Sequence, residues 1–138
     1  MTSERTSALQ PQRTIDELKE LRALTGDDNG AQRVAFTDTW LAARAWMREK
    51  LSALPVEVEI DEAGNQWATL RGSSDRELLI GGHIDSVPNG GWLDGCLNVI
   101  AGLASPQDGD DVAAAAVLAW LLVPGASLVA NRLSTLSP

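Results

Sequence analysis

The stretch GGHIDSVPNGGWLDG, from Gly81 to Gly95, holds the one histidine of this 138-residue chain, His83, followed by Asp85 and Asp94. Imidazole nitrogen and carboxylate oxygen are ordinary ligands for zinc and similar divalent ions. A ligating histidine needs its second ring nitrogen held by a carboxylate, carbonyl or water, which fixes the tautomer. Asp85 projects to the same side of an extended segment as His83, so it can reach the imidazole or a neighbouring backbone group. Asp94 ends a loop containing Pro88, Gly90 and Gly91 that can fold back and present a second carboxylate. Gly95 follows it, where the backbone can adopt geometries closed to other residues. By spacing alone a second reading stands beside this one. A His next to an Asp is commonly a satisfied structural pair, and Gly and Pro in a connecting loop are ordinary turn chemistry.

Rival chemistries fit less well. The glycines do not form GxxxxGK[ST] and no lysine lies nearby, which argues against a nucleotide P-loop. Ser86 with His83 and Asp85 makes a hydrolase triad only on paper, because residues this close along an extended segment rarely converge and no GxSxG elbow exists. Cys96 with His83 is a nucleophile pair in principle. The plainer reading is a small apolar residue in a helix.

The elements that must position these residues read as follows. Thr14-Ile15-Asp16-Glu17 has the form of a capping box, and Ile15, Leu18, Leu21 and Leu24 then recur at helical spacing until Gly26. A second helix is predicted from Thr37 or Asp38, with Trp40, Ala43, Met47, Leu51 and Leu54 as its apolar stripe and Pro55 as its stop. Val56 to Ile60 (VEVEI) alternates strictly, the pattern of a half-buried strand. The turn DEAGN leads into a second strand, QWATLR, and ELLIGG is a continuous apolar run that suits a strand buried on both faces. Helices before and after such strands predict an α/β fold. His83 then falls just past the C-terminal end of the most apolar strand, where ligands bind in open α/β sheets.

The chain as a whole bounds the function. There is room for one domain with a modest core. A net charge of −8 argues against nucleic acid as a partner. The single Cys96 excludes an internal disulfide and suits a reducing compartment. The polar opening MTSERTSALQPQRT lacks the apolar run of a signal peptide, so a cytoplasmic location is expected.

Composition changes along the chain, and two parts are expected: 1–103 as the domain proper, and 104–138 as a divergent apolar tail. Residues 104–138 contain only four charged side chains, Asp108, Asp110, Asp111 and Arg132, and no Lys or Glu. Val112 to Val123 is an unbroken apolar run with the three aspartates before it and Pro124-Gly125 after it. Such a run is too short to span a bilayer. It is expected as a buried helix with an acidic N-terminal end, the alternatives being a poorly ordered tail or, if the run extends to Ala130 across Pro124 and Gly125, a membrane anchor. The Lys- and Glu-free composition also suits a reading-frame change in GC-rich coding sequence.

The wording of GGHIDSVPNGGWLDGCLNVIAGL resembles the first metal-ligand segment of the amidase/hydantoinase/carbamoylase family. This is a branch of the dinuclear zinc aminoacylase-type hydrolases that includes N-carbamoyl-L-amino acid hydrolases, allantoate amidohydrolases and β-ureidopropionases. TGDDNGAQRVAFTDTWLAARAWM is similar to the family's early helix pair and DEAGNQWATLRG to its D-x-x-G-N strand turn, so residues 14–103 resemble the opening quarter of such an enzyme. The resemblance implies part of a three-layer catalytic domain, truncated, with an Ala/Leu-rich C-terminal helix or tail.

It further implies that His83 binds one divalent metal, zinc or else manganese, cobalt or nickel. Asp94 would bridge two ions, and Asp85, the implied catalytic residue, would orient His83. The implied substrate is a small linear amide or N-carbamoyl compound, with no membrane partner. Homodimers form in the family through a domain that has no counterpart here. Gly82 stands where the family has Ser, and Asn98 where it has Gly. A larger departure is that no glutamate follows Glu77 and no second histidine exists, so the family's Glu-Glu pair and its later ligands are missing.

Overall fold

The structure is a computed structural model and describes residues 11–71, 79–104 and, for the backbone, 77–78 and 114–120. Helix α1 runs Pro11–Thr25 and α2 runs Asp38–Ser52. A short hairpin of β1 (Gly26–Asp27) and β2 (Gly30–Ala31) separates them. Strands β3 (Glu57–Ile60), β4 (Gln66–Leu70) and β5 (Glu77–His83) follow, then helix α3 (Cys96–Leu103) and strand β6 (Ala114–Trp120). The four longer strands form one sheet in the order β3-β4-β6-β5. β4 pairs antiparallel with β3 and β6, whereas β5 and β6 run parallel, His83 opposite Trp120. This is the expected α/β fold.

Helix α2 begins as its sequence predicts. Thr37 is the N-cap and its hydroxyl accepts from the Trp40 amide at 3.3 Å. Trp40, Ala43, Met47 and Leu51 are buried, and they join Leu18 and Leu21 of α1 and Val99, Ile100 and Leu103 of α3 in one core. Helix α1 is already helical at Pro11, four residues before the first helical position of the capping-box reading. Proline fits there because its missing N–H would have had no helical partner. Thr14 is therefore inside the helix, and Ile15 and Leu24 are exposed.

The DEAGN turn is held by one carboxylate. Asp61 accepts from the amides of Ala63 and Asn65, the Asn65 side chain and the Trp67 indole, all within 3.0 Å. Burial pushes its carboxyl up, but these four donors outweigh burial and hold it below the ordinary value.

Three sequence expectations are corrected. VEVEI does form a strand, but all four residues of β3 are exposed, because β3 is an edge strand paired only with β4 among the described residues. β5 also lies at the edge of the described sheet, and Leu79 and Ile80 are half-buried rather than buried on both faces. The apolar tail is not helical where it is described. Ala114–Trp120 is strand β6, inserted between β4 and β5. A short apolar run does not distinguish a buried strand from a buried helix, and pairing on both edges overrides alanine's preference for helix. Asp108, Asp110, Asp111 and residues 121–138 lie outside the described residues. Among the described residues no helix is long and apolar enough to cross a membrane.

Candidate metal site

The site forms where the end of β5 meets the start of α3. The His83 amide donates to the Gly95 carbonyl at 3.3 Å, so the two segments are tied at the residue that carries the imidazole. Gly95 has φ 68° and ψ −38°, and the Cys96 amide closes back on the Asp94 carbonyl at 2.7 Å. The result is a three-residue turn of positive φ, unfavourable for any residue with a Cβ. Glycine is also required by space. A Cβ at position 95 would lie 2.3 Å from both Nδ1 and Cε1 of His83. The imidazole therefore rests directly on the Gly95 backbone.

The three sequence-predicted residues converge. His83 Nδ1 lies 3.0 Å from the Asp85 backbone oxygen and 3.2 Å from Asp85 Oδ1. With the Asp85 backbone oxygen as its acceptor, Nδ1 is the nitrogen placed to hold a proton, and in that tautomer Nε2 offers a free lone pair. Nε2 points toward Asp94, with Oδ1 3.8 Å away. Two bonds of about 2.0–2.1 Å to a common ion span such a separation, so the pair fits a divalent cation. The burial pattern also fits. The His83 and Asp94 side chains are 37% and 39% exposed, open to an ion and a substrate, whereas Asp85 is 0% exposed.

Asp85 is chemically the most unusual of the three. Neither carboxylate oxygen has a hydrogen-bond partner among the described residues. Its Oδ1 is near Nδ1, but the ring N–H is satisfied by the backbone oxygen. A fully buried carboxylate held without a hydrogen bond is costly to the fold. Its closeness to the imidazole is what a charge placed behind a metal-ligating ring requires. Among the described residues no group of three or more His, Cys, Asp or Glu side chains could hold a metal ion. His83 and Asp94 alone would leave the rest of a coordination shell to water or to groups beyond those residues.

The rival chemistries are not assembled. The Ser86 hydroxyl accepts from the Arg33 amide at 3.0 Å and is buried, and no hydrogen bond to His83 is found for it among the described residues. Cys96 is fully buried at the start of α3. Burial pushes its thiol up despite the nearby Arg33 guanidinium, which is the opposite of nucleophile activation. Sequence reasoning missed Arg33. It is 0% exposed and reaches the backbone of both ligand segments, yet an arginine after a polar loop carries no signal that separates it from a solvated one.

Comparison with known proteins finds relatives for this chain. No family model matches the sequence. An allantoate amidohydrolase of Bacillus subtilis (strain 168) is 35% identical over 78 residues, 55% of this chain and 19% of the relative. An N-carbamoyl-L-amino-acid amidohydrolase of Paenarthrobacter aurescens is 33% identical over 101 residues, 71% of this chain and 24% of the relative. A crystal structure of an amidase of the hydantoinase/carbamoylase family from Burkholderia phymatum superposes with a TM-score of 0.72 and 30% identity, covering 82% of this chain and 29% of that one. This chain is similar to one part of the hydantoinase/carbamoylase family amidases. It spans about a fifth to a quarter of the length of these curated relatives.

The two departures from the family's pattern at this loop turn out to be neighbours. A Cβ at Gly82 would lie 3.4 Å from the Asn98 Cβ and 2.5 Å from the Gly95 carbonyl oxygen. Glycine at position 82 therefore leaves room for the Gly95 carbonyl to accept from the His83 amide.

Proposed function

We propose that this chain carries the first ligand-bearing segment of a metal-dependent hydrolase of non-peptide C–N bonds, acting on linear amides, N-carbamoyl amino acids or ureido compounds. The observation that carries this reading is the approach of His83 Nε2 to Asp94 Oδ1 at 3.8 Å while Nδ1 faces Asp85. His83 and Asp94 would hold the divalent ion, zinc first by their nitrogen and oxygen donors, with manganese, cobalt and nickel as alternatives. Asp85 holds the imidazole in the tautomer that offers Nε2 and balances charge behind it. When bound, the ion supplies Lewis acidity toward a carbonyl oxygen and acidifies water. The names of the relatives, allantoate and N-carbamoyl-L-amino-acid amidohydrolases, support the substrate class.

A second reading is favoured for this polypeptide by itself: weak metal binding without turnover. The chain has one histidine and no glutamate after Glu77, so the family's later ligands and general base have no counterpart in it. The test is an assay of the purified 138-residue chain with zinc, manganese or cobalt against N-carbamoyl amino acids and allantoate. The expected result is no product above a protein-free metal blank. Turnover that His83→Ala abolishes would overturn the second reading and show that the chain completes its own site.

A further inference from the structure

We propose that Arg33 is a positioning residue whose guanidinium, inserted beneath the site, sets the relation of the His83 segment to the Asp94 segment; the inference rests on the metal-site reading above. Arg33 is 0% exposed, and no carboxylate of the described residues lies within ion-pair distance of it. A buried cation without a counter-ion is expensive, and a site that only needed filling would take an apolar side chain. The hydrogen bonds show what the charge does instead. Nε donates to the Ile84 carbonyl at 2.7 Å, the peptide that joins the imidazole residue's neighbour to Asp85. One terminal nitrogen donates to the Asp94 carbonyl at 3.4 Å and to Cys96 Sγ at 3.6 Å. The other donates to Thr25 Oγ1 at 3.3 Å, at the end of α1.

One planar group thus bonds the backbone on the ligand side of β5, the backbone of the second ligand, the first residue of α3 and the last residue of α1. Arg33's own backbone is fixed from the same direction. Its amide donates to Ser86 Oγ at 3.0 Å, and its carbonyl accepts from the Ser86 amide at 2.9 Å. Lysine cannot reproduce this arrangement, because an ammonium is a compact point charge without the rigid fork. Cation repulsion between Arg33 and a bound ion is offset by Asp85 and Asp94, which lie in the two segments it ties together.

The test is Arg33→Lys in the full chain, read on His83, whose imidazole gives the only histidine signals in the NMR spectrum. In the metal-free wild type the ring protons show a nuclear Overhauser contact to Gly95 Hα, since the ring rests on that residue. Arg33→Lys is expected to weaken or remove this contact, and to lower zinc affinity about 10- to 100-fold in an NMR titration. Thr25→Val keeps Arg33 but removes one of its anchors, and about a 2- to 10-fold loss of affinity is expected. It decides the matter if the lysine variant does not fold. A lower melting temperature with unchanged His83 contacts and unchanged affinity would mean Arg33 is only structural, and would overturn the proposal. A wild type that binds no zinc would sink the metal-site reading alone, and the ring contact in the metal-free variants would still decide Arg33.

Discussion

Gly95→Ala is expected to leave an α/β chain that no longer binds zinc. Two effects act at one atom. The added methyl would sit 2.3 Å from Nδ1 and Cε1 of His83, well inside contact distance, so the imidazole must swing away from Asp85. The backbone at φ 68° and ψ −38° is also closed to alanine. The turn must then rearrange, or the chain must absorb roughly 2–4 kcal/mol of strain and overpacking. Either response moves the Asp94 carboxylate, one residue away. A loss of zinc affinity of about 100-fold or more is expected, larger than for any residue behind the ring. Circular dichroism with a zinc titration separates site loss from unfolding. Native-like affinity in a folded variant would mean that His83 does not ligand in the orientation described.

Asp85→Asn is expected to separate function from stability in opposite directions. The carboxylate is fully buried, and neither oxygen accepts a hydrogen bond among the described residues, so its charge opposes folding. Replacing it by the isosteric neutral amide should stabilise the metal-free chain by about 1 kcal/mol or more. The same change removes the negative charge behind His83, and zinc affinity should fall about 10- to 100-fold. Thermal unfolding of the metal-free protein beside a zinc titration reads both quantities. A variant that is less stable and binds zinc normally would show that Asp85 is a structural residue.

Much of this arrangement was legible in the sequence because its carriers are local. His83 and Asp85 are only two residues apart, and although the backbone bends at Ile84 just after β5, Nδ1 still lies 3.2 Å from Asp85 Oδ1. Thr37 and the stripe from Trp40 to Leu51 announce α2 through spacing that the buried core then uses. What was not legible depends on partners far along the chain. The run around Ala114–Trp120 carries no period, and only its insertion between β4 and β5 makes it a strand. VEVEI alternates correctly but lies at an edge, where neither face is covered. Arg33 acts on residues more than fifty positions away, and nothing in its neighbours marks it as buried. That Gly82 and Asn98 are neighbours was likewise not legible: only the fold shows that a Cβ added at position 82 would lie 3.4 Å from the Asn98 Cβ.

The central claim is that His83 and Asp94 bind one divalent ion through Nε2 and a carboxylate oxygen. A zinc titration followed on the ¹⁵N signals of the single imidazole tests it most directly. Nε2 is expected to shift saturably with one zinc per chain while Nδ1 keeps its proton. Asp94→Asn is expected to weaken the transition, and His83→Ala to leave no comparable site. An imidazole unmoved by zinc, or zinc binding that survives His83→Ala, would contradict it.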